Sequence, residues 1–211
     1  VVGLGGVRTL SVAKCIAMVA PVKLDMDDFL SGVQPQGEPL AFIAIPTTCR
    51  DPFLLVDEYL VIDSRDRVAR IGRTPRGITR VAIVDPKLTA TLPPKYTATT
   101  LLDTLLAAVE GYLSSRANFL SDTYLTRACE VIGRTLPALI EQPDDLRVRM
   151  SACMAGLLTA LGLTTSKAGV GAALSYAING SFMVPKSWVA SIMLPHVMEL
   201  YSGVAAEKLS T

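Results

Sequence analysis

Short runs of apolar residues alternate with helical patterns along the first part of the chain, up to about Pro94. The opening segment VVGLGG predicts a strand that ends in a glycine turn, and residues 7–22 follow with apolar side chains at helical spacing. Further strands are predicted in LAFIAIPTT (residues 40–48), EYLVID and RVAIVDP. Because these runs are continuously apolar rather than alternating, they favour a parallel sheet that is covered on both faces.

The strand patterns stop after TATLPPKYTATT, and the remaining sequence is typical of helices. Candidate helix starts lie at Thr99 or Thr100, at Ser121 or Asp122, and at Pro143 and Asp144. The predicted fold class is an α/β N-terminal part, with a partial parallel sheet of the nucleotide-binding type, followed by an all-α helical part. We place two incomplete domains at residues 1–95 and 96–211.

Half of the residues are hydrophobic, 18% are charged, and the mean hydropathy is +0.42, so a membrane span has to be considered. The candidate, residues 150–166, is rich in Ala, Gly, Ser and Thr and has no flanking aromatic belt. We therefore expect buried helices and no membrane. The formal net charge of +1 gives no electrostatic indication of nucleic-acid binding.

The four cysteines, at positions 15, 49, 129 and 153, have no CxxC spacing and lie in apolar surroundings. Such cysteines are typical of buried thiols in a reducing compartment rather than of disulfides or metal sites. This pattern predicts a cytoplasmic protein.

Two loops at predicted strand ends carry candidate ligand-binding residues. Gly5 and Gly6 separate a strand from a helix, where backbone N–H groups approach phosphates; a tight turn without a ligand is the alternative. Thr47 and Thr48 follow the next parallel strand, whose carboxyl end should face the same crevice; their hydroxyls could instead satisfy their own loop. Arg8 either pairs with a phosphate or faces solvent.

Two polar residues stand in apolar helical segments. His196, the single histidine, lies in IMLPHVMEL, and the interpretation as a core or helix-start residue is favoured over catalysis. Asp103 lies in TTLLDTLLAAVEGY and, if ionised and unpaired, would be costly there. It needs a cation, a metal or several donors, unless it lies in the first turns, where the helix dipole stabilises it.

The segments VVGLGGVRTLSVAK, AIPTT, the long stretch from RVAIVDP to VIGRTL, and SIMLPHVMEL occur in an order and spacing that resemble the iron-containing (group III) alcohol dehydrogenase family. Members are longer at both ends, so the chain is expected to be an internal portion. The resemblance implies an NAD(P)-binding domain, a helical domain, and iron or zinc between them that polarises an alcohol for hydride transfer. It places Gly5 and Gly6 in the pyrophosphate loop, and Thr47 and Thr48 beside the nicotinamide.

The departures from the family pattern fall on its functional positions. The loop that reads Gly-Gly-Gly-Ser in the family has Val7 and Arg8 at its last two positions, and RDPFL replaces Gly-Thr-Gly-Ser-Glu after the threonines. Of the metal ligands, one Asp and three His, Asp103 alone survives. The other ligand positions are Ala107, Ala172 and Lys186, and Tyr176 stands where a further His lies near the substrate.

One carboxylate does not hold Fe²⁺ or Zn²⁺, so neither metal is expected. Lys186 instead suggests charge replacement, in which a buried ammonium pairs with the orphaned Asp103 carboxylate. The resemblance implies an NAD(P)-dependent oxidoreductase of a small alcohol or aldehyde, with reduced or lost activity and no catalytic metal. The alternative is a catalytically silent structural or regulatory subunit of the same fold. A partial sheet and bundle also predict a homo-oligomer or association with other chains.

Overall fold

The computed structural model describes residues 1–203 and 205–209. Its first part contains strands β1 (Val2–Gly5), β2 (Phe42–Pro46), β3 (Glu58–Ile62), β4 (Ala69–Arg73) and β5 (Thr79–Ala82), and helices α1 (Val7–Val19) and α2 (Met26–Leu30). Helices α3 (Pro94–Leu113), α4 (Phe119–Glu141), α5 (Leu146–Leu163), α6 (Val170–Phe182), α7 (Lys186–Ser202) and α8 (Ala206–Leu209) follow. Short 3-10 helices span Ala20–Val22 and Pro86–Thr89. The predicted succession of an α/β part and a helical part is confirmed.

The predicted parallel sheet is present, with strand order β1-β2-β5 and both neighbouring pairs parallel. Helix α1 packs on one of its faces, where Leu10 and Phe42 are buried in the same core. The expectation that both faces are covered is wrong for β1. Because α1 covers only one face, Val2 and Leu4 on that strand are 62% and 55% exposed.

The strand predicted in EYLVID exists but does not join the parallel sheet. As β3 it pairs antiparallel with β4, a strand that the sequence analysis missed because ARIGR carries no apolar run. The buried Asp63 carboxylate organises the turn between them, accepting hydrogen bonds from Arg65 and Arg70. Lys14 of α1 fixes the chain that leads into β3, since its buried amine donates to the carbonyls of Val56 and Glu58 at 3.0 and 3.2 Å.

The predicted helix starts were wrong by a few residues. Helix α3 begins at Pro94 rather than at Thr99 or Thr100, because proline is well suited to a first helical position. Thr100 lies inside the helix, where its hydroxyl donates to the Tyr96 carbonyl at 2.7 Å. Asp103 consequently lies in the middle of the 20-residue helix α3, beyond the reach of the dipole at its N-terminus.

The next two helices also start at different residues from those predicted. Asn118, rather than Ser121 or Asp122, caps α4, and Ser121 completes a reciprocal capping box by accepting a hydrogen bond from the Asn118 backbone. Asp145 caps α5 by accepting a hydrogen bond from the Arg147 backbone, so this helix begins at Leu146, two positions beyond the predicted Asp144.

Helix α5 is, among the described residues, long and apolar enough to cross a bilayer, although half of it is buried within the protein. It packs against α3 and α4, as expected of a core helix. The cysteines are free thiols, and the prediction of buried thiols is confirmed at positions 15, 49 and 153, whereas Cys129 is half-buried.

Candidate functional site

The two predicted cofactor loops lie side by side at the carboxyl ends of β1 and β2. Gly5 pairs with Pro46 at the end of the ladder, and the Thr47 backbone donates to the Gly5 carbonyl at 3.0 Å. Gly5 has φ +155°, and an added Cβ would lie 2.7 Å from Thr9 Cβ, so glycine is required there. Gly6 caps α1 and would carry a Cβ at an ordinary 3.6 Å from Thr48.

A cavity of about 370 Å³ opens in front of these loops. Its lining includes Gly6, Arg8, Thr48, Arg50, Asp103 and Lys186, so the predicted nucleotide loops and the predicted metal position face the same space. The Thr48 hydroxyl donates to the Arg50 carbonyl at 2.9 Å and thus satisfies its own loop. Arg8 is exposed and donates to Asn179 Oδ1 at 2.6 Å, which links α1 to α6.

Asp103 is 1% exposed and pairs with two cations. The Lys186 amine donates a hydrogen bond to Oδ1, which confirms the predicted pairing of these two residues. The Arg50 Nε atom lies 2.5 Å from Oδ2. Neither of these two atoms has a hydrogen-bond partner among the described residues, so their contact is an ion pair without a hydrogen bond.

Arg50 is the site residue that the sequence analysis missed. It belongs to the RDPFL segment, which departs from the family pattern, but no neighbouring residue in the sequence indicates that its side chain reaches α3. Helix α5 holds this loop closely, because a Cβ on Gly156 would lie 2.1 Å from the Cys49 carbonyl oxygen. Arg50 is 6% exposed, and its Nη2 donates to the Tyr176 hydroxyl at 2.7 Å.

The Tyr176 ring contacts both cations. The Lys186 amine lies 4.7 Å and the Arg50 guanidinium carbon 5.4 Å from its centroid, within cation–π range. Burial raises the pKa of the Tyr176 phenol to about 12, although the nearby Arg50 opposes that rise. Burial, reinforced by the positive charge of Arg50, lowers the pKa of the Lys186 amine to about 8, against the opposing effect of Asp103.

Glu110 fixes helix α6 against α3. Its buried carboxylate accepts hydrogen bonds from the backbones of Gly169 at 2.9 Å, Gly171 at 2.6 Å and Ala172 at 3.0 Å. The carboxylate thereby satisfies the free N–H groups at the start of α6 and complements its dipole. This anchor sets the position of Tyr176, which lies on the same helix.

The other positions that the resemblance assigns to metal ligands carry two alanines and a lysine. Ala107 and Ala172 line a second cavity of about 490 Å³. Arg50 and Tyr176 line both cavities. Among the described residues, no group of three or more His, Cys, Asp or Glu side chains is placed to hold a metal ion. With methyl groups at two positions and an ammonium at the third, the residues present do not fit iron or zinc.

His196 lies away from this arrangement. It is inside helix α7 and exposed, so the preferred interpretation as a core or helix-start residue was wrong. It is not among the residues that line either cavity.

The fold is a small parallel α/β sheet followed by a helical region, with two loops side by side at the carboxyl ends of neighbouring strands. The model of the Fe-containing alcohol dehydrogenase family, C-terminal, matches residues 97–211. The chain therefore belongs to the Fe-containing alcohol dehydrogenase family.

Individual relatives agree with this assignment. The chain is 31% identical over 205 residues to long-chain-alcohol dehydrogenase 1 of Geobacillus thermodenitrificans, covering 94% of this chain and 50% of that one. It thus spans about half the length of the curated relatives it matches.

Solved structures of the family share its fold. The iron-containing alcohol dehydrogenase of Thermotoga maritima superposes with a TM-score of 0.87 at 26% identity, over 98% of this chain and 56% of that one. Sulfoacetaldehyde reductase of Bifidobacterium kashiwanohense, solved in complex with NAD⁺, gives a TM-score of 0.86 at 25% identity, over 94% and 53%.

Proposed function

We propose that this chain forms part of an NAD(P)-binding oxidoreductase of alcohols or aldehydes that works without the family's metal, with reduced or lost alcohol dehydrogenase activity. The observation that carries this proposal is the double pairing of Asp103. Both oxygens of the surviving ligand face a cationic side chain, Lys186 or Arg50, so neither is free to bind iron. A divalent cation would have to displace both charges from a buried site.

The nucleotide part of the proposal is supported by the β1–α1 turn. Gly5 keeps the tight turn, and the N-terminus of α1 opens into the cavity with Arg8 in its first turn, an arrangement that suits a phosphate. A solved relative is a complex with NAD⁺. Bound NAD(P)H supplies a hydride to a carbonyl carbon.

In the family, a metal would polarise the alcohol or carbonyl oxygen bonded to the carbon that gives or receives the hydride. Here the positive charges of Lys186 and Arg50 lie beside Asp103, and they would stabilise negative charge that develops on a carbonyl oxygen. Both charges are already partly compensated by Asp103. We therefore expect weaker catalysis than a metal supports.

The second candidate is a catalytically silent structural or regulatory subunit, which would also be consistent with an oligomeric, cytoplasmic protein. Its support is the apolar surface: Phe119 is 88% exposed, and Phe182 and Met183 are each 72% exposed. Isolated apolar side chains are common on protein surfaces, but large adjacent ones such as Phe182 and Met183 favour association with another chain or segment.

The test combines nucleotide titration with metal analysis of the protein purified with added Zn²⁺ or Fe²⁺. We expect NADH or NADPH to bind and metal to stay well below one ion per chain. A variant with Ala107→His, Ala172→His and Lys186→His, combined with Arg50→Gln, is the positive control and should gain zinc. Stoichiometric metal in the unaltered protein would contradict the proposal, and absence of nucleotide binding would leave only the silent subunit.

A further inference from the structure

The charges that line the 370 Å³ cavity do not balance. Arg8, Arg50 and Lys186 contribute cationic side chains, and of the described residues that line the cavity only Asp103 is acidic. Two of these cations are deeply buried, since Arg50 is 6% and Lys186 is 9% exposed. A single carboxylate between two buried cations leaves an excess of positive charge in a site shielded from water, where uncompensated charge is costly.

The nearest other carboxylates are engaged elsewhere. Asp51 accepts a hydrogen bond from the Phe53 backbone at 2.9 Å, and Glu110 accepts three from the start of α6. Neither residue is part of the cavity lining. Their charges reduce the electrostatic potential at Lys186 and Arg50 without placing a second carboxylate in the cavity wall.

The donors in the cavity wall are suited to an incoming anion. An ammonium has three N–H donors, and the bond to Asp103 uses one of those on Lys186. Thr100 and Ser187, whose side chains are polar and uncharged, also line the cavity. Arg8 and the first turn of α1, next to the loop proposed for the nucleotide, line it as well. Lys186 and Arg50 lie together in the cavity wall, because both contact Asp103.

We propose that the part of this cavity lined by Lys186 and Arg50 binds the carboxylate group of a small molecule, so that the alcohol or aldehyde substrate is itself a carboxylic acid. Lys186 donates to that carboxylate, and Arg50, which faces the other Asp103 oxygen, supplies a second positive charge. The identity of the molecule as an oxidoreductase substrate rests on the proposed function; the binding of a carboxylate at this position does not.

The experiment compares propionate with 1-propanol, which has three carbons and no charge, by isothermal titration at pH 7 and constant ionic strength. We expect propionate to bind and 1-propanol to bind at least about tenfold more weakly, the factor that corresponds to about 1.4 kcal/mol. Lys186→Met should weaken propionate binding at least as much. Lys186→Arg keeps the positive charge and should retain propionate binding. Lys87→Met, which removes an exposed lysine outside the cavity, is the matched control.

Asp103→Asn tests whether the Asp103 carboxylate competes with propionate for Lys186 and Arg50. Removing the competing carboxylate frees Lys186 and Arg50, so propionate should bind this variant more tightly than the unaltered protein. A role of Asp103 in folding alone predicts the opposite or no change. Because the variant is expected to be less stable, its thermal midpoint is measured as well, and propionate should raise that midpoint more than it does in the unaltered protein.

Equal binding of propionate and 1-propanol, or propionate binding that is unchanged by Lys186→Met, would overturn the inference. NADH titration is carried out on the same samples. Nucleotide binding without propionate binding overturns the carboxylate site alone. Propionate binding without nucleotide binding supports the carboxylate site and overturns the proposed oxidoreductase function.

Discussion

The Lys186 amine, at the first residue of α7, donates a hydrogen bond to the Asp103 carboxylate in the middle of α3, 83 positions earlier in the chain. Arg50 approaches the other carboxylate oxygen from the loop after β2. Through these two ion pairs Asp103 links helices α3 and α7 to the loop after β2, at the position that the resemblance assigns to a metal ligand.

Asp103→Asn should lower the free energy of unfolding by about 3–5 kcal/mol, because it leaves two buried cations beside a neutral amide. Urea denaturation in a carboxylate-free buffer measures the change. Glu130→Gln breaks an exposed ion pair with Arg127 and should cost no more than about 1 kcal/mol, which makes it the matched control.

The double variant Asp103→Asn/Lys186→Met should lose less stability than the two single variants added together, since the second change removes a charge that the first leaves unpaired. Additive losses in urea denaturation would mean that the two side chains do not interact in solution.

Glu110→Gln should destabilise the start of α6, because an amide has one acceptor oxygen for the three backbone N–H groups that the carboxylate serves. We expect a loss of about 1–3 kcal/mol. Amide hydrogen exchange should accelerate at Gly169, Gly171 and Ala172. Glu141→Gln, at the exposed end of α4, should leave these amides unchanged, and unchanged exchange in Glu110→Gln would show that the cap is dispensable.

Gly156→Ala should destabilise the protein by about 3 kcal/mol, because its methyl group would overlap the Cys49 carbonyl oxygen and push the Arg50 loop away. Gly133→Ala is the control within another helix, since a Cβ there meets nothing within 4 Å. It should stabilise the protein by about 0.5–1 kcal/mol. Thermal denaturation of both variants checks the opposite signs, and equal effects would contradict the close packing of α5 on this loop.

The cysteine thiols should react slowly with iodoacetamide at pH 8. Burial raises the pKa of Cys15 and Cys49 to about 12, and that of Cys129 and Cys153 to about 11, so few thiolates are present. In the unfolded chain, thiols lose protons near pH 9 that the folded chain retains, so their contribution to the free energy of unfolding falls as the pH rises from about 9 to 12.

Mass spectrometry of alkylated peptides measures these rates, with protein in urea as the fully reactive control. Alkylation of native Cys15 or Cys49 as fast as in urea would contradict their burial.

The sequence by itself determined the elements whose signals are local. The turn at Gly5, the parallel strands and the run of helices followed from glycine placement and apolar periodicity. The pairing of Asp103 with Lys186 could also be predicted, because the resemblance left Asp103 as an unpartnered carboxylate and placed a lysine at another of the family's ligand positions. The structure confirms that pair.

Only the tertiary structure decided which strand β3 pairs with and where the Arg50 side chain lies. β4 has no apolar signal of its own and forms because β3 is placed beside it. Arg50 reaches Asp103 because Gly156 lets α5 approach the preceding residue closely, a contact between segments over a hundred positions apart. Side-chain patterns record local burial and conformation, whereas the second partner of a buried charge depends on the packing of distant elements, which no local pattern carries.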